Sequence, residues 1–121
     1  MANEITLNLS LKVAKSYLQQ TMAPGTVTAD LSGTNATGGS QNIGTSAEAI
    51  VMNDVTTAGY AFFRNLGPTN YVELGTGTGT NFAAFAKLKA GEPAVIRLGT
   101  SAPTAKANSA AIDLQYFILA D

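Results

Sequence analysis

The chain contains no histidine, no cysteine and no tryptophan among its 121 residues. Without Cys or His it cannot build the usual zinc sites, a Cys nucleophile, a His general base, or haem and iron–sulfur ligation from its own side chains. A disulfide framework is excluded for the same reason. Charge is also scarce: 12% of residues are charged, about half the usual share. Seven basic and eight acidic residues leave a net charge of −1. The basic residues are scattered, so neither the basic face that displaces phosphate counterions nor a polybasic membrane patch is supplied. No apolar run has the length of a bilayer-crossing helix. Met1-Ala2-Asn3-Glu4 lacks a basic start followed by an apolar stretch, which predicts no signal peptide. The expected partner is therefore neither nucleic acid nor membrane.

Apolar residues make up 45% of the sequence, and the length predicts a single domain over 1–121, with about two-thirds of its unfolded surface buried. Thr, Ser, Asn and Gln carry the polar role that Lys and Glu usually fill. A surface of that kind repels its neighbours weakly. It suits a protein that packs on copies of itself or on a protein partner, and it equally suits a neutral soluble monomer.

The hydropathy pattern has the period of strands. Ile5, Leu7, Leu9, Leu11 and Val13 alternate with polar residues, which predicts one half-buried strand with Leu9 on its buried face. Residues 14–22 are compatible with strand or a turn of helix. Val27, Ala29 and Leu31 alternate again. The Gly/Ser/Asn/Thr-rich stretch 32–42 predicts a long exposed loop. Strands are expected at 47–52, 57–66 and 70–74, the last two forming a hairpin about Gly67-Pro68. Phe62 and Phe63 are adjacent and point to opposite faces of their strand, so that strand is covered twice or meets a partner. Phe82, Phe85 and Leu88 have helical spacing, but the short strands around them favour strand or loop. A strand at 94–98, a long connection over 99–111 and a final alternating strand from Ile112 complete the chain. About eight short strands without a long helix predict an all-β sandwich or barrel, and eight is the jelly-roll count.

Few residues offer chemistry. Gly75-Thr76-Gly77-Thr78-Gly79 has the look of a phosphate loop, but the dinucleotide spacing is wrong and the Lys of a Walker loop is missing. Glu48, Asp54, Glu73, Glu92 and Asp113 stand alone rather than as paired carboxylates. An enzyme reading would rest on Glu73 with a second acid. No EF-type calcium loop is present, while a calcium held by loop carbonyls and one Asp stays open. Asn8-Leu9-Ser10 and Asn35-Ala36-Thr37 match glycosylation acceptors, as expected by chance in an Asn/Thr-rich chain. No catalytic, cofactor or metal residue is assigned, and no cofactor is expected.

The segment from Ile43 onward carries a family resemblance. It runs Ile43-Gly44-Thr45-Ser46-Ala47-Glu48, then Gly59-Tyr60-Ala61-Phe62-Phe63-Arg64-Asn65-Leu66. It continues with Thr69 to Gly75, Lys87 to Ala94, and Arg97-Leu98. These stretches resemble small structural proteins of tailed-bacteriophage virions, including jelly-roll capsid cement or decoration proteins. The resemblance covers about two-thirds of the chain and contains strands and turns rather than catalytic residues. It implies a non-enzymatic, homo-oligomeric virion protein whose partner is the major capsid protein or another virion protein. The alternative it implies is a tail, collar or fibre-associated protein that contacts the host through loops 33–42 and 75–80.

Overall fold

The computed structural model describes residues 3–99 and 102–121. The chain divides into two compact units, Met1–Ser32 and Gly33–Asp121.

The first unit is an antiparallel ribbon. Strand β1 (Ile5–Asn8) pairs with β4 (Thr26–Ala29), and β2 (Leu11–Lys15) pairs with β3 (Leu18–Met22). A two-residue turn at Ser16-Tyr17 joins β2 to β3, with Ser16 at φ 54°. The expected continuous strand over 5–13 is broken at Leu9-Ser10, and Leu9 is 45% exposed rather than buried. The alternation is real, but no second layer belonging to the ribbon covers it. None of the described residues 3–32 is buried.

The second unit holds eight strands: β5 (Ala36–Ile43), β6 (Glu48–Ala49), β7 (Ala58–Asn65), β8 (Val72–Thr76), β9 (Ala83–Leu88), β10 (Pro93–Arg97), β11 (Thr104–Ala107) and β12 (Ile112–Ala120). They form two antiparallel four-stranded sheets, in the orders β10-β7-β12-β5 and β6-β11-β8-β9. Counted within the unit, the first sheet takes strands 6, 3, 8 and 1, and the second takes 2, 7, 4 and 5. That interleaving is the jelly-roll order, two Greek keys wound together. The all-β expectation holds, with twelve strands in the described chain instead of about eight.

The core lies between these sheets. In β12, Ile112, Leu114, Tyr116 and Ile118 point inward while Asp113, Gln115 and Phe117 point out. Phe63 of β7, fully buried, joins them from the same sheet. Val72 and Leu74 of β8, Leu88 of β9, and Ala105 and Ala107 of β11 face them from the other. The small alanines of β11 leave room for the large side chains opposite, the alternation of sizes that fills a sandwich.

Three segments differ from the sequence expectation. Residues 36–43 are not a loop: β5 pairs with β12 over eight consecutive positions. Its turn-forming composition yields to the ladder that β12 offers, because strand preference depends on neighbours more than on the residue itself. The expected connection at 99–111 contains β11, a central strand paired to both β6 and β8; residues 100 and 101 lie outside the described set. Finally, β7 and β8 are not a hairpin. Gly67-Pro68 carries the chain from one sheet to the other. Residues 83–88 are strand β9, so the helical spacing of Phe82, Phe85 and Leu88 is incidental.

Candidate interaction surface

The outward side of the β10-β7-β12-β5 sheet bears an apolar stripe. Val95 lies opposite Phe62, Phe62 opposite Phe117, and Phe117 opposite Gly38, so three apolar side chains stand in one row across three strands. Phe117 is 49% exposed. Gly38 ends the row: a Cβ there would sit 2.8 Å from Phe117 Cδ1, so the ring would have to shift to admit a larger residue. The neighbouring Gly39 has φ 141° and open space above it. Large rings beside side-chain-free backbone make a shallow groove of about 590 Å³, floored by Gly38, Gly39 and Ser40 and walled by Phe62, Leu66 and Phe117.

Polar rows flank the stripe. On one side run Pro93, Arg64, Gln115 and Ser40. The Arg64 Nε donates to the Gly91 carbonyl at 3.2 Å. On the other side the Arg97 guanidinium lies 5.0 Å from the Tyr60 ring centre and 2.6 Å from Asp121 Oδ1. Both arginines are held by the protein itself, and Ser40 and Gln115 are the polar side chains that line the groove. The outward side of the second sheet differs: Glu73 lies between Lys106 and Lys87 across three strands. Lys87 Nζ stands 4.1 Å from the Tyr71 ring centre. Phe85 of β9, 49% exposed, also lies on this side, so charged and aromatic groups are mixed there.

The ribbon has a comparable asymmetry. Register places Leu11 beside Met22, Val13 beside Gln20 and Lys15 beside Leu18 on one face, with Lys12, Thr21, Ala14 and Gln19 on the other. The β1–β4 pairs Ile5–Ala29 and Leu7–Val27 likewise share a face. Leu11, Leu18 and Met22 are 69%, 61% and 58% exposed.

The residues with candidate chemistry have structural duties and do not converge. Glu48 accepts from Gln41 Nε2 and the Gly44 N–H, each at 3.3 Å. Glu92 Oε1 accepts from the Lys89 N–H at 2.8 Å and closes the turn before β10. Asp113 Oδ1 accepts from Asn42 Nδ2 at 3.0 Å. Asp54 lies in the turn before β7, and its backbone carbonyl accepts from Asn35 Nδ2. Among the described residues no three acidic side chains are grouped to hold a metal ion. Gly75 is part of β8, where a Cβ would collide with the Ala83 carbonyl. The chain then enters a single 3-10 turn, Gly79–Asn81, rather than the long helix a phosphate cradle needs.

Sequence reasoning reached Phe62 through its adjacency to Phe63. It missed Gly38 to Ser40 as a groove floor, because that depends on pairing with a strand some 80 positions away. It also missed Asn65, fully buried at the end of β7. The signal was available: Asn65 continues the inward series Ala61, Phe63 just before Gly67-Pro68.

No family model matches the chain, and no curated protein or solved structure is significantly similar to it.

Proposed function

We propose that this chain is a non-enzymatic structural protein of a bacteriophage virion, a cement or decoration protein that binds the outer head surface and stabilises the shell. One observation carries the reading: the large exposed features are apolar faces, the aromatic stripe and the ribbon, rather than a cleft of convergent polar groups. Jelly rolls serve in viral capsids, lectins and cupins, so the fold is compatible with the role without establishing it. The resemblance from Ile43 onward supplies the particle. A nearly neutral surface with few charges can be buried against capsid protein at little desolvation cost, and many weak copies on one shell gain strength through multivalency. The tail or fibre alternative draws on the same β domain and on loops at 33–42 and 75–80, and most of the first is strand β5. Adding purified protein to expanded capsids that lack it, followed by cryo-electron microscopy, tests the proposal. Density at regular positions on the shell is expected, and a bare shell at saturating protein overturns it.

A further inference from the structure

Four strands lie at the edges of the two sheets in the Gly33–Asp121 unit, and three of them are blunted against further pairing. Strand β6 has two residues, and the β8–β9 register shifts at a bulge; shortness and bulges both blunt an edge. Strand β5 is met by the segment after β6: the Ala49 carbonyl and the Val51 N–H bond the Gln41 side chain at 3.0 Å each. Strand β10 is regular and open. The Asn65 N–H donates to the Glu92 carbonyl and the Leu98 N–H to the Gly59 carbonyl, so Glu92, Ala94, Ile96 and Leu98 turn their main-chain groups toward β7. The alternation of an antiparallel ladder then turns the groups of Pro93, Val95 and Arg97 to the free side. Among the described residues no hydrogen bond reaches them.

We propose that β10 pairs with β10 of a second copy, antiparallel and centred on Val95, so that two four-stranded sheets become one of eight. The partner is the same strand, so only another molecule can supply it. The two Val95 residues exchange both N–H···O bonds, and the Arg97 N–H of each copy donates to the Pro93 carbonyl of the other. Every N–H on the free side of both strands is then used. Pro93 has no N–H and Arg97 is charged, the two devices that turn foreign strands away from an edge. In an inverted copy they fall opposite each other. The register is fixed as well: a pair centred on Pro93 has no N–H at its middle, and one centred on Arg97 sets like charges directly opposite. Side chains agree with this pairing. Ile96 shares the core side with Ala61 but is 41% exposed, because no strand lies beyond it. The inverted copy sets the small Ala94 opposite Ile96 and joins the two Val95–Phe62–Phe117 rows end to end. The Arg97 side chain leans over Tyr60 of β7, which leaves its main chain open to the partner.

Five residues a side make a small interface, and a Kd of about 0.1 mM is expected. Amide hydrogen exchange followed by NMR on the unaltered chain measures it residue by residue. Between about 10 µM and about 1 mM, that Kd lowers the monomer share from roughly 85% to roughly 20%. Exchange at the Val95 and Arg97 amides therefore slows about fourfold, while Ala94 and Ile96, bonded to β7 throughout, do not change. Val95→Pro removes the central donor and leaves the β7 ladder alone, since Pro is accepted where an edge N–H faces solvent. In that variant Arg97 exchange no longer depends on concentration, and protected Ala94 and Ile96 amides show that the strand is intact. The unaltered chain decides by itself where Val95→Pro does not fold. The proposal is overturned if Val95 and Arg97 exchange at one rate at both concentrations. A fast rate means that the edge stays open, and a slow one that the same chain covers it. Concentration-dependent Arg97 exchange in folded Val95→Pro overturns it equally.

Discussion

The fully buried Asn65 amide is the joint most worth breaking. Its Nδ2 donates to the Asn70 carbonyl at 2.8 Å and the Leu88 carbonyl at 3.0 Å, and its Oδ1 accepts from the Gly67 N–H at 2.8 Å. Both donor hydrogens are used. The bonds tie β7 of one sheet to β9 of the other and hold the turn that crosses between them. Asn65→Leu keeps bulk and removes all three bonds. The Leu88 carbonyl and the Gly67 N–H are then left in the interior without this partner, at about 1–3 kcal/mol each. We expect a loss of about 3–5 kcal/mol, a large part of the 5–15 kcal/mol that holds a domain of this size together. In calorimetry that lowers Tm by roughly 10–25 °C. Asn65→Asp separates the hydrogen-bond argument from packing. A carboxylate there faces two carbonyl oxygens, so its folded pKa rises above the unfolded value near ~3.9. The folded state then binds its proton more tightly, and stability falls as pH climbs from the unfolded pKa to the folded one. Asn65→Asp is therefore weakest at neutral pH and recovers on acidification, while Asn65→Leu shows no such recovery. A loss under about 1 kcal/mol for Asn65→Leu, set against the cost of unpaired buried groups, or a flat pH response for Asn65→Asp, refutes the reasoning.

Four other substitutions probe the rest of the chain. Leu9→Asp changes the urea midpoint of the Gly33–Asp121 unit by less than about 0.5 kcal/mol equivalent, since Leu9 is half exposed. Gly75→Ala costs about 2 kcal/mol or more in the same assay, because its Cβ would meet the Ala83 backbone at the β8–β9 bulge. Gly79→Ala, at φ 58° with open space around it, costs only about 1 kcal/mol for the left-handed backbone. Asp121→Asn breaks the 2.6 Å contact to Arg97, but both partners are partly exposed, so thermal melts show a change below about 1 kcal/mol that shrinks further with salt.

What was legible in the sequence follows from what alternation encodes. Strand β12 was readable because its inward and outward residues differ sharply in polarity and the strand is long. The opposite directions of Phe62 and Phe63 followed from strand geometry alone, and both side chains lie as expected. Strand β5 was hidden because Ala-Thr-Gly-Gly-Ser-Gln-Asn-Ile has no hydrophobic period; its place is fixed by main-chain pairing with β12 and by Gly38, which makes room for Phe117. Strand β11 was hidden because its inward residues are alanines, too small to register as a core pattern. The two-sheet crossing at Gly67-Pro68 reads locally like a hairpin, and only Asn65 inside the core distinguishes the two.

The ribbon shows the limit of the same logic from the other side. Residues 5–13 alternate as cleanly as β12 does, and both patterns announce one apolar face. In β12 a second sheet supplies the cover, and Leu114 and Ile118 are fully buried. In the ribbon no layer of its own supplies it, and Leu11 is more than two-thirds exposed. Periodicity therefore states that a face is meant to be covered without stating by what. A chain with so few charges has little other means of keeping such a face in water.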